Sequence, residues 1–490
     1  MKRTEMGKQS RKRLLCYYGD DFTGSTDVLE ALFRAGLRTI LFLEPPEPDM
    51  LERRFHDADC FGVAGVGRSL SPEEMERDLR PLFETLRAAG SAVVHYKVCS
   101  TFDSSPRVGS IGKAAEIGRD VFGGRYIPVI AGVPYLKRYT LFGHHFAGAG
   151  GEVYRIDRHP TMSQHPVTPM KESDLRLHLA EQTELRSGLF DMTAQQGDLA
   201  EVRERLGRLV ETERPELLLF DVLDDLHLET VGRLLWEEAS RMPDTEASET
   251  GSTQGTETAP EPDGGLFVIG SSGVEYALTM AWRAVGRLNG RGDETPPKDE
   301  AGEVSQLLVV SGSCSPVTER QLQQAIEAGY AGIRVPAALL VQADRAEQVC
   351  AALKREALEQ LAAGRSVLLY SAAGPQDSSI GELREQLAKH GRSSDESSRM
   401  LGSALGVLAR ELVREAGLTR IVIAGGDTSG YVTRELGIYA LECVSTLEPG
   451  GPICRAHSTD PGLDGLELAL KGGQVGSDSF FEHVRLGRVR

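Results

Sequence analysis

The sequence predicts an α/β protein of two domains, each a mostly parallel sheet flanked by helices. Three observations predict it. Short runs rich in Val, Ile and Leu alternate with helical stretches from residue 14 onward, the pattern of βα units. The alternation restarts at residue 307, after a polar, Pro- and Gly-containing stretch (289–303) that reads as an inter-domain linker. The apolar runs end in Gly, Ser and Asp loops that lead straight into helices, where open parallel sheets bind their ligands.

A length of 490 residues suits roughly two to four domains with ample core. Fifty-five basic against 72 acidic residues leave a net charge of −17, which argues against nucleic acid or an anionic membrane surface as the main partner. The seven cysteines are scattered and form no C-x-x-C pair, so neither a disulfide framework nor a zinc ribbon is expected, and a reducing cytoplasm is the simplest setting. Residues 1–13 are polar and basic, a flexible arm rather than a secretory signal. No apolar run approaches membrane-spanning length.

The first domain is expected over 14–288. Residues 14–18 read as its first strand, 19–25 as a loop and 26–35 as a helix. The loop carries Asp20 and Asp21, two adjacent charges where one would suffice to cap the helix, so a general base or a ligand for Mg²⁺ or substrate hydroxyls is expected there. Strands follow at 38–42 and 60–66, the second leading to Arg68, whose guanidinium suits a substrate carboxylate. Ser71 and Glu74 form a capping box for the next helix. A strand at 92–98 brings Lys97 to the polar loop with Ser100 and Thr101. A helix is expected over 108–117 with Gly118 as its stop, then a strand at 126–131. His144, His145, His159 and His165 show no H-x-x-x-H or HExxH spacing, so they are read as loop contacts and no metal ligand is assigned. Strands at 217–222 and 266–269 flank residues 244–264, a Thr/Ser/Glu/Gly-rich stretch read as a disordered insertion.

The second domain is expected over 304–490. A strand at 307–310 runs into Ser311, Gly312, Ser313, Cys314 and Ser315, with Ser315-Pro316 as N-cap and first residue of a helix. Strands follow at 367–370 and 421–424. The second ends in a loop of Gly425, Gly426, Asp427, Thr428, Ser429 and Gly430, with a helix expected from about Tyr431. Residues 468–476 read as a strand carrying Lys471 into the glycine turn Gly472-Gly473. Three Gly/Ser-rich turns at strand ends, together with Lys471, suit a phosphate-bearing ligand at helix N-termini. None matches the P-loop or the dinucleotide fingerprint.

Several of these motifs resemble one family in order. Tyr18-Gly19-Asp20-Asp21-Phe22-Thr23-Gly24 is similar to the (A/G)DD(L/F)TG opening of the four-carbon acid sugar kinases. The stretches 270–273, 311–318, 425–430 and 468–473, with Phe480-Phe481, resemble its later motifs. The resemblance implies an ATP-dependent kinase using Mg²⁺ and phosphorylating a hydroxyl of a four-carbon sugar acid such as threonate, erythronate or 3-oxo-tetronate. Its site would lie in the cleft between a sugar-acid domain and a nucleotide domain. It further implies Asp21, then Asp20, as catalytic group, and Asp20, Arg68, Lys97, Ser100 and Thr101 as substrate contacts. Ser311, Ser313, Gly425, Gly426, Asp427, Thr428, Ser429, Gly472 and Gly473 would be the nucleotide contacts. The expected partners are the sugar acid and ATP, without nucleic acid or membrane, and a homo-oligomer is left open. The chain departs from the pattern at one place. Where much of the family reads K-x-x-S-T-L-R-G, it has Phe102-Asp103-Ser104-Ser105, so an arginine is absent and the substrate's identity does not carry over. The competing reading is a kinase-like binding protein with an altered substrate or lost catalysis.

Overall fold

The computed structural model describes residues 12–241, 264–288, 301–391 and 394–489. Residues 1–11 of the expected arm, 244–263 of the expected insertion and 289–300 of the expected linker lie outside the described residues. The chain divides into two compact units, Met1–Thr39 with Pro45–Asp293 and Ile40–Glu44 with Glu294–Arg490.

The first half of the chain contributes strands β1 (Leu15–Gly19), β2 (Thr39–Phe42), β3 (Cys60–Ala64), β4 (Val93–Lys97), β5 (Ile127–Ile130), β6 (Arg138–Leu141), β7 (His144–Ala149), β8 (Glu152–Arg155), β9 (Ser187–Phe190), β10 (Leu217–Phe220) and β11 (Leu266–Gly270). In the first unit the order is β3-β1-β4-β11-β5-β10-β9, and every pairing is parallel. β1, β3, β4, β10 and β11 are buried at every position. Helices on both faces demand that, and it is why these strands read as continuous apolar runs. β6, β7 and β8 form a separate antiparallel sheet.

The second half contributes β12 (Leu308–Ser311), β13 (Ala331–Arg334), β14 (Val367–Tyr370), β15 (Arg420–Ala424), β16 (Ile438–Glu448), β17 (Gly451–Ser458) and β18 (Glu467–Lys471). β13-β14-β12-β15-β18 are parallel, and β17 and β16 continue antiparallel. β2 then pairs antiparallel with β16, so a strand from the first forty-odd residues belongs to this unit. Beneath this sheet Val309, Leu322, Leu368, Val422, Ala469, Phe480 and Phe481 share one buried cluster. Each such large side chain stabilises the fold by about 1.5–3 kcal/mol relative to exposure.

Three helix boundaries differ from the sequence reading. The first helix is Phe22–Arg34, not 26–35, because Asp21 is its N-cap and accepts from Gly24 N. The helix expected to stop at Gly118 is Ile111–Phe122. Gly118 lies inside it against Phe267, where an added Cβ would meet the ring at 2.1 Å, and the stop is Gly123 at φ 67°. The expected loop over 425–430 is almost entirely helix, Gly426–Glu435. Gly425 adopts φ 122°, a conformation open to glycine, and reverses the chain in one residue.

Candidate functional site

In the first unit the strand register brings the site residues together. Gly19 is level with Ala64 on one side and with Lys97 on the other, and Lys97 is level with Gly270. The residues that follow these strands therefore leave the sheet at one edge. Backbone hydrogen bonds tie the exits: Asp20 N donates to Lys97 O at 2.9 Å, Arg68 N to Asp20 O at 3.0 Å and Val98 N to Gly270 O at 2.8 Å.

The side chains there form a closed set of charges. Arg68 donates through Nη1 to Asp21 Oδ2 at 3.1 Å and through Nη2 to Asp103 Oδ2 at 2.6 Å. Two of its five N–H groups are thus used. The Asp103 side chain is fully buried and also accepts from Thr101 Oγ1 and from Thr168 Oγ1 at 2.8 Å. Burial pushes its carboxyl up, but the Arg68 charge and these hydrogen bonds prevail and hold it below the usual range. Phe102, just before it, is buried at φ 57°, a strained backbone for a bulky residue that pins Asp103 in the loop. Lys97 is 2% exposed, donates to Val98 O at 2.8 Å and lies 3.9 Å from Asp27. Ser100 is half-buried, and its carbonyl accepts from His145 Nε2 at 2.9 Å. Burial pushes His145 down to about 4, so the ring is neutral and serves to hold the loop.

The paired aspartates differ. Asp21 is about one-third exposed, and both its oxygens accept, from Gly24 N and Arg68. Asp20 is 5% exposed and its Oδ1 has no hydrogen-bond partner. Burial first, then the Asp21 charge, pushes its carboxyl up to about 8 against the opposing pull of Arg68 and Lys97. The Asp20 carboxyl is thus biased toward its protonated form, and Asp21 sits open beside it.

In the second unit another register line gathers Ser311, Ala424 and Lys471 at the ends of β12, β15 and β18. Ser311 Oγ is fully buried and without a partner. Ser313 Oγ accepts from Ser315 N at 3.3 Å and lies 3.0 Å from Thr318 Oγ1. Gly473 O accepts from Ser315 Oγ and Thr318 Oγ1. A Cβ on Gly473 would stand 2.8 Å from Ser313 Oγ, so only glycine lets this turn close on the hydroxyls. Gly472 O accepts from Val475 N. Gly425, the N-cap, supplies no side-chain bond, which leaves the first N–H groups of the helix Gly426–Glu435 as open donors. Thr428 stands over Gly312, and Ser429 Oγ donates to Gly425 O at 2.7 Å. The Asp427 side chain lies outside the described residues. This arrangement of orphan hydroxyl, close-approach glycine and uncapped helix N-terminus fits a polyphosphate.

No group of three or more His, Cys, Asp or Glu among the described residues could hold a metal ion by itself. A Mg²⁺ carried on phosphate oxygens needs only one or two hard protein oxygens, which Ser313 Oγ can offer. The sequence reading placed the strand-end loops but not Asp103, Thr168 or Thr318 among the site residues. The first was visible as a departure from a motif, whereas Thr168 lies 65 residues from its partner and carries no local signal.

The chain thus folds as two α/β units, one gathering charged side chains at its sheet edge and the other hydroxyls, glycines and a helix N-terminus. Comparison with known proteins narrows the class. Residues 15–252 match the family model described as "Sugar-binding N-terminal domain" and 308–481 the one described as "Nucleotide-binding C-terminal domain". A 3-oxo-isoapionate kinase of Paraburkholderia graminis is 43% identical over 97% of this chain and 95% of its own. A 3-oxo-tetronate kinase of Methylobacterium radiotolerans is 31% identical over 94% and 96%, and one of Pseudomonas fluorescens 28% over 97% and 97%. Crystal structures of a Salmonella typhimurium LT2 protein (TM-score 0.73, 24% identity, 96% and 98% covered) and a Haemophilus influenzae protein (0.69, 21%, 96% and 99%) share the fold. The chain belongs to the four-carbon acid sugar kinase family.

Proposed function

We propose that the protein transfers the γ-phosphoryl group of ATP to a hydroxyl of a 3-oxo sugar acid. The observation that carries this reading is the cradle at the ends of β12, β15 and β18. There a buried Ser311 Oγ without a partner faces the same edge as an uncapped helix N-terminus and a glycine turn. The names of the relatives support the acceptor class. The higher identity to the isoapionate enzyme, with the departure at residues 102–105, favours an isoapionate-type acid over a tetronate.

In the reaction the acceptor oxygen bonds to the γ-phosphorus as the bond to the β-phosphate oxygen breaks, and ADP leaves. Asp21 is the group assigned to take the hydroxyl proton, since it is the open member of the pair. The three N–H groups of Arg68 not used by Asp21 and Asp103 are available to the acceptor carboxylate. The backbone donors of Gly426 and the following residues, with Ser311 and Ser313, hold the phosphates. Mg²⁺, when bound, would be held in part by Ser313 Oγ and would supply charge neutralisation for the transferred phosphoryl group. The protein is in this reading a cytoplasmic enzyme of sugar-acid catabolism.

The test is direct: incubate the protein with ATP, Mg²⁺ and a panel of 3-oxo and simple four- and five-carbon sugar acids, and follow ADP. Acid-dependent ADP release is expected, with a 3-oxo acid as the best acceptor. ADP release that no acid stimulates sinks the reading.

A further inference from the structure

Lys471 ends β18 and is 2% exposed. Its Nζ donates one hydrogen bond, to Thr318 Oγ1 at 3.1 Å. Among the described residues the other two N–H groups have no partner and no carboxylate lies within ion-pair distance. Two other buried cations are treated differently. Arg420, 1% exposed, reaches Glu467 and the carbonyls of Ala301, Gly302 and Val484. Lys97 has Val98 O and lies 3.9 Å from Asp27. Burial alone pushes the Lys471 ammonium down to about 8, with no neighbouring anion to oppose it.

A buried ammonium without a counter-charge is unfavourable in the free protein. What surrounds it is built for an anion. Lys471 O accepts from Gly425 N at the turn into the uncapped helix, and its one partner, Thr318, bonds Ser313 and Gly473. We propose that Lys471 meets the negative charge of the nucleotide's phosphates, and that the unliganded protein holds it at the expense of its own stability. This rests on the nucleotide reading above and adds to it the residue that neutralises the phosphates.

The experiment is thermal melting of the wild-type protein and of Lys471→Met and Lys471→Gln, each alone, with ADP and with inorganic tripolyphosphate. Without ligand both variants are expected to melt above wild type, because the unpaired charge is gone. Both are expected to lose the ADP- and tripolyphosphate-induced rise, with ADP affinity weakened about 30-fold, the loss of a charge-assisted hydrogen bond. A structural lysine predicts the reverse: variants that melt lower and keep the ADP-induced rise, which overturns the inference. If wild type gains from ADP and both variants gain equally, the lysine proposal fails and the nucleotide site stands. If wild type gains from neither ligand, both fail.

Discussion

The two units treat charge in opposite ways at the same structural position, the carboxyl edge of a parallel sheet. In the first unit the charges close on one another. Arg68 lies between Asp21 and Asp103, Asp103 takes two further hydroxyl donors, and Lys97 lies near Asp27. Asp20 is left with an idle oxygen, and burial with the neighbouring Asp21 charge pushes its carboxyl up to about 8. In the second unit a lysine and a serine hydroxyl are shut in without an anion. A site that is already balanced binds its ligand by geometry, through spare donors and acceptors on fixed groups. A site that is unbalanced binds by charge and gains most when a polyanion arrives.

The contrast can be broken from either side. The largest effect is expected for Asp21→Asn, which removes the open carboxylate: kcat should fall about 10²–10⁴-fold with ATP affinity unchanged, measured by ADP release and by nucleotide titration. Loss of both activity and nucleotide binding would show that the two sites are not independent. Next is Arg68→Ala, which leaves the buried Asp103 carboxylate without its cation. Because Arg68 is itself 28% exposed, a loss of about 2–3 kcal/mol by chemical denaturation is expected rather than the full value for a buried pair. The acceptor KM should rise in parallel. An Arg68→Ala protein as stable as wild type would mean the balanced set is not needed for the fold.

On the other unit, Gly425→Ala places a side chain at φ 122°, about 1–3 kcal/mol of strain. The KM for ATP should rise and that for the acid should not. The smallest effect on activity at neutral pH is expected for Asp20→Asn, since an amide resembles the protonated acid. Its signature is in pH. The folded carboxyl titrates near 8 and the unfolded one near 3.8, so the unfolded chain releases its proton first. The stability from the neutral form is full below pH 3.8 and is lost as pH rises through 8. The Asp20→Asn protein should lose less melting temperature than wild type between pH 5 and pH 9, and a parallel slope would place Asp20 outside this balance.

Much of this architecture was legible in the sequence because buried parallel strands are continuous apolar runs with glycine or serine at their ends. The Ser71–Glu74 capping box and the Ser315-Pro316 helix start are local signals, and the structure has both. Boundaries failed where a glycine had two meanings. Gly118 is a packing glycine against Phe267, and Gly425 is a one-residue reversal rather than the start of a loop. The long antiparallel pair β16 and β17 and the small β6-β7-β8 sheet were not anticipated. The candidate sites were only half legible for the same reason. Residues at strand ends announce themselves, but the partners that fix their charges, Asp103 with Thr168 and Lys471 with Thr318, lie 65 and 153 residues apart and meet only through the fold.

The strand β2 has a consequence for biosynthesis. Phe42 pairs with Ala440, so 440 − 42 = 398 residues of chain separate the two partners. At roughly 5–20 residues per second, that strand emerges from the ribosome about 20–80 s before its neighbour exists. During that interval an apolar segment waits with no strand of its own unit to pair with, an edge open to other nascent chains. A fragment starting at residue 294 would lack it altogether and would present the β16 edge in its place. Chaperone demand during synthesis, and poor solubility of the isolated C-terminal half, follow from five residues, Ile40–Glu44, that are encoded early and needed late.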